Sequence, residues 1–436
     1  MIIKKFEIKG LHGEYDYSIE FYEDVTFLYG ANGSGKTTVL NLLTYVITCR
    51  FYKLIDYTFS TLILTYIGGN KVKTLTIKME RKDISKKNNI EIITEDDKII
   101  IDNIDKILRN IEMDDIGATF EDLYPSIKPL KNEFHYICLP LNRLAATENI
   151  EEVITPFRRR RYIANSEYSF AYLNESLKVI EKLIQDSCMK INITENFINN
   201  QFRKQVLSSA TRISKDTPIE QIISDLEKID LKKVMKSKEA YIKTLQELDI
   251  YDQTLEENIE EFYTEFEKEY NKYQLNKNTI RINFAFLYND YLRIQQVVGF
   301  AKENEKAKEK NRQRKDLFVR IINDFFITSG TDKKIEINKE GLVKFNTNTR
   351  ILTLNDLSSG EKQLIITFAS FIFGMKNETK GVYIVDEPEA SLHLEWQSKF
   401  VNALLSANKK IQLIFATHSP ELIGEYSSKA IELKHN

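Results

Sequence analysis

Nine residues near the start of the chain, Gly30-Ala31-Asn32-Gly33-Ser34-Gly35-Lys36-Thr37-Thr38, follow a short apolar run, Val25–Tyr29, and precede an apolar stretch of helical length, Val39–Thr48. This is G-x-x-x-x-G-K-[S/T] between a strand and a helix, the context that gives the pattern its meaning. Glycines let successive backbone N–H groups turn inward around phosphate oxygens, and the helix N-terminus adds a favourable dipole. Asn32, Gly33, Ser34, Gly35, Lys36, Thr37 and Thr38 are therefore expected to cradle the phosphates of ATP. Within that cradle Lys36 falls to the β- and γ-phosphates and Thr37 to Mg2+.

The rest of the chain is read around that loop. Ile2–Ile8 and Tyr17–Tyr22 alternate as strands, and alternation returns in Lys71–Met79 and Ile90–Ile101. His135–Leu139 is another short apolar run, closed by Pro140. From about residue 165 to 325 the pattern changes to long charged helices in which Gly299 is the sole glycine. Leu173, Leu177, Ile180 and Ile184 form an apolar seam there. Leu245, Leu248, Leu255, Ile259, Phe262 and Phe266 form another, interrupted at Asp252. Such seams suit a helical hairpin or short coiled coil, and Thr217-Pro218-Ile219-Glu220 reads as a helix start within it. Strands resume at Lys334–Ile337, Leu342–Phe345 and Arg350–Leu354. Val382–Val385 and Leu413–Ala416 have the look of buried parallel strands. The expected fold class is α/β, with one head built from an N-terminal lobe (1–150) and a C-terminal lobe (331–436). A helical or coiled-coil insertion (151–330) separates the two.

Composition narrows the partners. Of the 436 residues, 42% are hydrophobic and 29% charged, as suits a globular chain with long charged helices. A net charge of −2 gives no global bias toward nucleic acid, so such a site needs a local patch. No apolar run approaches the ~20 residues that span a bilayer. Cys49, Cys138 and Cys188 lack paired spacing, which points to a reducing cytoplasm and to neither a disulfide framework nor a zinc site.

The C-terminal lobe carries the remaining chemistry. The strand Val382–Val385 runs into Asp386 and Glu387, placing one acid to hold the Mg2+ shell and the next to polarise an attacking water. Leu357-Ser358-Ser359-Gly360-Glu361-Lys362-Gln363 taken alone is an ordinary helix cap. His418 follows a buried strand in Ala416-Thr417-His418-Ser419-Pro420.

In this order the phosphate loop, L-S-S-G-E-K-Q, the strand ending in D-E, P-E-A-S-L-H and T-H-S resemble the ABC-type ATPases. The likeness is to the group that spans the chromosome-structure (SMC) and overcoming-lysogenisation-defect (OLD-like) ATPases. It covers roughly residues 1–145 and 333–430. The resemblance implies that Ser358, Ser359, Gly360 and Glu361 face the γ-phosphate bound by an opposing subunit, through a homodimer or higher homo-oligomer of heads. It further implies that Pro388–His393 cross that interface and that His418 senses the γ-phosphate, with Glu387 as the catalytic acid–base group.

The sequence departs from the family in lacking the glutamine of the first lobe, since its first Gln is Gln185. Tyr136–Arg143 resembles the corresponding segment, with Asn142 or Arg143 in that role. Arg158–Arg161 form a basic cluster that could meet nucleic acid phosphates or the acids of the helical region. Lys306–Lys315, mixed with Glu, reads as an exposed helix. The chain ends eighteen residues after His418, leaving no room there for a nuclease domain. The expected effector is a separate chain, such as a nuclease or Toprim-type protein. Stand-alone ATPases of this make resemble subunits of anti-phage systems such as PARIS and Septu. The alternative reading is an SMC-like DNA clamp for repair or recombination. A transporter subunit is disfavoured by the long insertion and the missing glutamine.

Overall fold

The computed structural model describes residues 1–69, 71–82, 87–95, 97–102, 122–134, 136–139, 166–211, 225, 228–247, 250–275, 282–374, 381–390 and 392–434. It divides into two compact units, one of Met1–Cys188 with Arg314–Asn436 and one of Met189–Gln313.

The first unit is organised by two sheets that share one core. β1 (Ile2–Leu11) and β2 (Tyr15–Glu20) form an antiparallel pair, and β3 (Val25–Tyr29) leads into the glycine loop and α1 (Lys36–Ile47). β4 (Thr61–Gly68), β5 (Lys71–Lys82), β6 (Lys87–Ile93) and β7 (Lys98–Ile101) complete a six-stranded antiparallel sheet in the order β2-β1-β4-β5-β6-β7. Along β4, buried Leu62, Leu64 and Tyr66 alternate with half-exposed residues, the pattern of a sheet with one face on a core. The run Ile90–Ile101, expected as one strand, is a hairpin. Thr94 N–H donates to Asp97 O (2.9 Å) and Asp97 N–H to Thr94 Oγ1 (2.9 Å), which turns the chain there.

Next come α2 (Ile127–Glu133) and β8 (Tyr136–Leu139), and much later β12 (Gly381–Asp386), β13 (Ile411–Ala416) and β14 (Ala430–Glu432). With β3 these build a second sheet, all parallel, in the order β14-β3-β13-β12-β8. Every residue of β12 and β13 is buried, because both faces are covered. On one face Leu28, Val382, Ile384 and Ile414 meet α1 and the antiparallel sheet. On the other, Val25, Phe27, Tyr383, Val385, Leu413 and Phe415 meet α7 (Ser359–Phe373) and α8 (Leu394–Ala407). The period-two alternation of each strand thus feeds two cores.

That second core also holds the ends of two long helices, α3 (Ser166–Thr211) and α6 (Ile282–Thr328), and a small antiparallel sheet of β9 (Lys334–Ile337), β10 (Val343–Asn346) and β11 (Ile351–Leu352). Leu177, Ile180 and Ile184, expected in an inter-helix seam, pack with Phe318, Ile322 and Phe325 inside the head core. Gly341 (φ +83°) lets the β9–β10 turn press against α3, since a Cβ there would lie 2.6 Å from Gln185 Cα. Buried Gln412 joins the two sheets. Its Nε2 donates to Ile3 O (2.8 Å) and Tyr22 O (2.7 Å), and its Oε1 accepts from Ile3 N–H (2.8 Å).

Phe415 is wholly buried, stacked on Phe27 (5.5 Å between centroids) and edge-on to Phe400 (6.3 Å). Phe415→Ala is expected to cost about 3–5 kcal/mol. In urea unfolding this appears as a lower midpoint at unchanged m-value.

The second unit contains α4 (Leu231–Glu247) and α5 (Gln253–Leu275) with the neighbouring stretches of α3 and α6. Its core is aromatic: Tyr263, Phe266, Tyr273, Phe284 and Tyr288 pack with Val234, Leu245 and Ile259. Asp252, which interrupts the sequence seam, is the N-cap of α5, accepting from Leu255 N–H at 2.8 Å. The seam is therefore split between two helices. Lys306–Lys315 lie within α6. Among the described residues no helix is long and apolar enough to cross a membrane.

Candidate functional site

The glycine loop leaves β3 at a fixed point, since Thr417 N–H donates to Leu28 O (3.0 Å) and Leu433 N–H to Tyr29 O (2.8 Å). Asn32 and Gly33 are exposed at the loop tip, Ser34 and Lys36 are buried, and Gly35, Thr37 and Thr38 are half-buried. Gly35 is the N-cap of α1 in a left-handed conformation (φ +84°), and a Cβ there would sit 2.7 Å from Tyr17 Oη. Tyr17 Oη itself donates to Ser34 O at 3.2 Å, so the antiparallel sheet supports the loop from beneath. Lys36 Nζ donates to the carbonyls of Gly30 and Ala31 (both 3.0 Å) and lies 3.4 Å from Ser34 Oγ. Burial pushes the Lys36 ammonium down from its ordinary pKa, against the opposing pull of Glu387, Asp386 and Glu389.

Those acids stand at the end of β12, beside the loop. Asp386 is 8% exposed, and burial pushes its carboxyl up to about 6 even though the Thr37 hydroxyl donates to it. Its Oδ1 is buried without a partner. A hydroxyl and a buried carboxylate oxygen lacking a donor fit the oxygen shell of a hard divalent cation. Thr37 and Asp386 are thus the residues that could hold Mg2+.

Glu387 adopts φ +47°, a left-handed backbone that costs about 1–3 kcal/mol in a residue other than glycine. The conformation is held by Glu387 N–H donating to Ala416 O (2.9 Å) and Ala390 N–H to Glu387 O (3.1 Å). Its Oε1 lies 3.9 Å from His418 Nε2. Glu389 Oε1 accepts from the backbone N–H of His418 at 2.7 Å.

Ser358 is the N-cap of α7 and forms a capping box with Glu361. Ser358 N–H donates to Glu361 Oε2 (2.8 Å), and Glu361 N–H to Ser358 Oγ (3.4 Å). Lys333 Nζ donates to Glu361 Oε1 (2.7 Å). Burial would raise the Glu361 carboxyl, but Lys333 and the cap outweigh it and hold it below its ordinary pKa. Both oxygens of Glu361 are thus engaged within its own head. Ser358 and Ser359 are exposed at the helix start, while Gly360 is buried. α7 packs on the face of the parallel sheet opposite α1, so the two motifs sit on different sides of one sheet.

Fold proximity brings Lys36, Thr37, Asp386, Glu387 and His418 together and leaves Ser358–Glu361 apart from them. Asn142, Arg143, Arg158–Arg161 and Thr217–Glu220 lie outside the described residues. β8 runs parallel to β12, with Leu139 opposite Val385, so the strand preceding Asn142 ends close to the level of Asp386. Sequence reasoning missed Tyr17, Lys333 and Glu389. Tyr17 looks like any tyrosine of an alternating strand and Lys333 like a solvated loop residue. The one available signal was the third acid of D-E-P-E, two residues after Glu387.

A family model described as an AAA ATPase domain matches residues 1–423. The chain belongs to this AAA ATPase domain family. Over 72 residues the chain is 36% identical to the Septu protein PtuA of Bacillus mycoides (strain KBAB4). That stretch is 15% of this chain and only 10% of the relative. The Smc head domain of Pyrococcus furiosus, with an extended coiled coil and bound to the C-terminal domain of ScpA, aligns over 99% of this chain and 93% of its own. The identity is 12% and the TM-score 0.42. The SMC head domain of Thermotoga maritima aligns over 99% and 92% at 11% identity and a TM-score of 0.33.

Proposed function

We propose that this AAA ATPase is a Mg2+-dependent, SMC-like switch whose nucleotide sites are each completed by a second copy of the chain. The observation that carries the reading is the placement of α1 and α7 on opposite faces of one sheet. An exposed helix N-terminus on the opposite side of the sheet from its own α1 is suited to an anion held by another molecule.

In the reaction a water oxygen attacks the γ-phosphorus, and the bond to the β–γ bridging oxygen breaks. ADP leaves, and the Glu387 carboxylate takes the water proton. Lys36 pairs with the β- and γ-oxygens, and His418 beside Glu387 donates to the γ-phosphate. The Ser358–Gly360 end of a partner head closes over it. Thr37 and Asp386 would hold Mg2+, which when bound would neutralise phosphate charge. Closing and opening of heads would move the helical unit and control a separate effector. The short likeness to a Septu protein supports placing that effector in anti-phage defence.

The test is complementation. Lys36→Ala destroys a phosphate loop and Ser359→Arg obstructs an α7 N-terminus, so each variant alone is expected to be nearly inactive. Mixed one to one, half of the dimers pair an intact loop with an intact α7, and phosphate release returns to about a quarter of wild type. A mixture that associates yet stays as inactive as its components refutes the shared site, as does full activity of Ser359→Arg alone.

A further inference from the structure

We propose that Glu389 is a positioning residue that sets His418 against Glu387, acting through the backbone amide of residue 418 and without touching nucleotide. The proposal rests on the roles given above to Glu387 and His418.

Glu389 sits in a tight turn after β12, closed by Ala390 N–H to Glu387 O (3.1 Å) and by Leu392 N–H to Glu389 O (2.9 Å). One carboxylate oxygen holds the His418 amide at 2.7 Å, and the other, Oε2, is buried without a partner. Glu389 is half-buried, and the bond of its Oε1 links the β12 turn to the β13 loop. The loop is pinned on both flanks of His418. Before it, Thr417 N–H donates to Leu28 O (3.0 Å). After it, Ser419 Oγ donates to Gln397 Oε1 (2.6 Å) while capping the short helix Pro420–Ile423. Glu389 supplies the remaining constraint, on residue 418 itself. With it the imidazole stands 3.9 Å from Glu387, close enough for both side chains to meet one γ-phosphate and its attacking water. Glu389 also carries negative charge toward Lys36 and Asp386, so a purely electrostatic role has to be separated from the positional one.

The separating experiment is steady-state hydrolysis by the full-length chain, with the affinity for a fluorescent ATP analogue measured alongside. Glu389→Ala is expected to lower kcat by ~10- to 100-fold with analogue affinity nearly unchanged. Glu389→Gln keeps an oxygen acceptor without the charge and should restore kcat to near wild type. In a His418→Ala background Glu389→Ala should add nothing, because the group it positions is gone. If Glu389→Ala is unstable, Glu389→Met keeps the bulk without the acceptor and takes its place. Additive losses in the His418→Ala background, or a Glu389→Gln as slow as Glu389→Ala, would overturn the positional role. A wild-type chain that does not hydrolyse ATP, or a His418→Ala variant as fast as wild type, would instead remove the underlying roles of Glu387 and His418.

Discussion

Glu387→Gln is expected to lower ATP turnover by about 10²- to 10⁴-fold with nucleotide affinity retained, so that ATP-bound heads accumulate as a dimer under the proposed mechanism. The substitution keeps the shape of the side chain and removes its basicity. Its backbone is held in the left-handed region by bonds to Ala416 and Ala390, so the amide occupies the same place. The proposed binding groups, Lys36, Thr37 and the loop amides, are unchanged by the substitution. Phosphate release under single-turnover conditions reads the chemical step, and light scattering with and without ATP reads the dimer. If the variant hydrolyses at the wild-type rate, the proton goes elsewhere, and Glu389 is the nearest other acid on that turn.

Asp386→Asn separates stability from activity. A buried carboxyl raised from 3.8 to about 6 binds its proton more tightly in the folded than in the unfolded chain. Between about pH 4 and 6 the folded state therefore holds more protons, and stability falls as pH rises. Above about pH 6 the full penalty applies, and the shift corresponds to about 3 kcal/mol. In metal-free buffer at pH 7.5, Asp386→Asn should thus be more stable than wild type by about 1–3 kcal/mol. At pH 4 the two should unfold together. The same change would remove the proposed cation ligand, and turnover is expected to drop by at least about 100-fold. Mg2+ with ATP should then stabilise wild type far more than the variant. Thermal unfolding at two pH values, with and without Mg2+ and ATP, checks the three stability expectations and a phosphate-release assay the turnover, and a variant less stable than wild type at pH 7.5 contradicts the buried-charge account.

The head was readable because its chemistry is local. The loop, the strand ending in Asp386-Glu387 and the Ser358 cap are each defined within a few residues, and β3, β12 and β13 are buried, mostly apolar strands. What could not be read is the contact between distant segments. The spacing of Leu177, Ile180 and Ile184 is that of a helix seam, and periodicity does not say whether the partner is another arm or the head core. Asp252 looked like a flaw in one helix because a capping residue and a polar interruption have the same sequence appearance. Glu389 is legible only once β12 and β13 lie side by side, which brings residue 418 within reach.

The place of β3 in the parallel sheet has a consequence for how the protein comes into being. Its two neighbours, β13 and β14, are made nearly four hundred residues later, and the Gln412 bonds to Ile3 span 409 positions. While the ribosome is still adding the middle of the chain, the strand behind the glycine loop has neither of its neighbouring strands. The loop therefore acquires its shape after synthesis has passed residue 430. Long-range closure of this kind is slow, and it leaves the apolar surface of the nascent first lobe exposed in the interval.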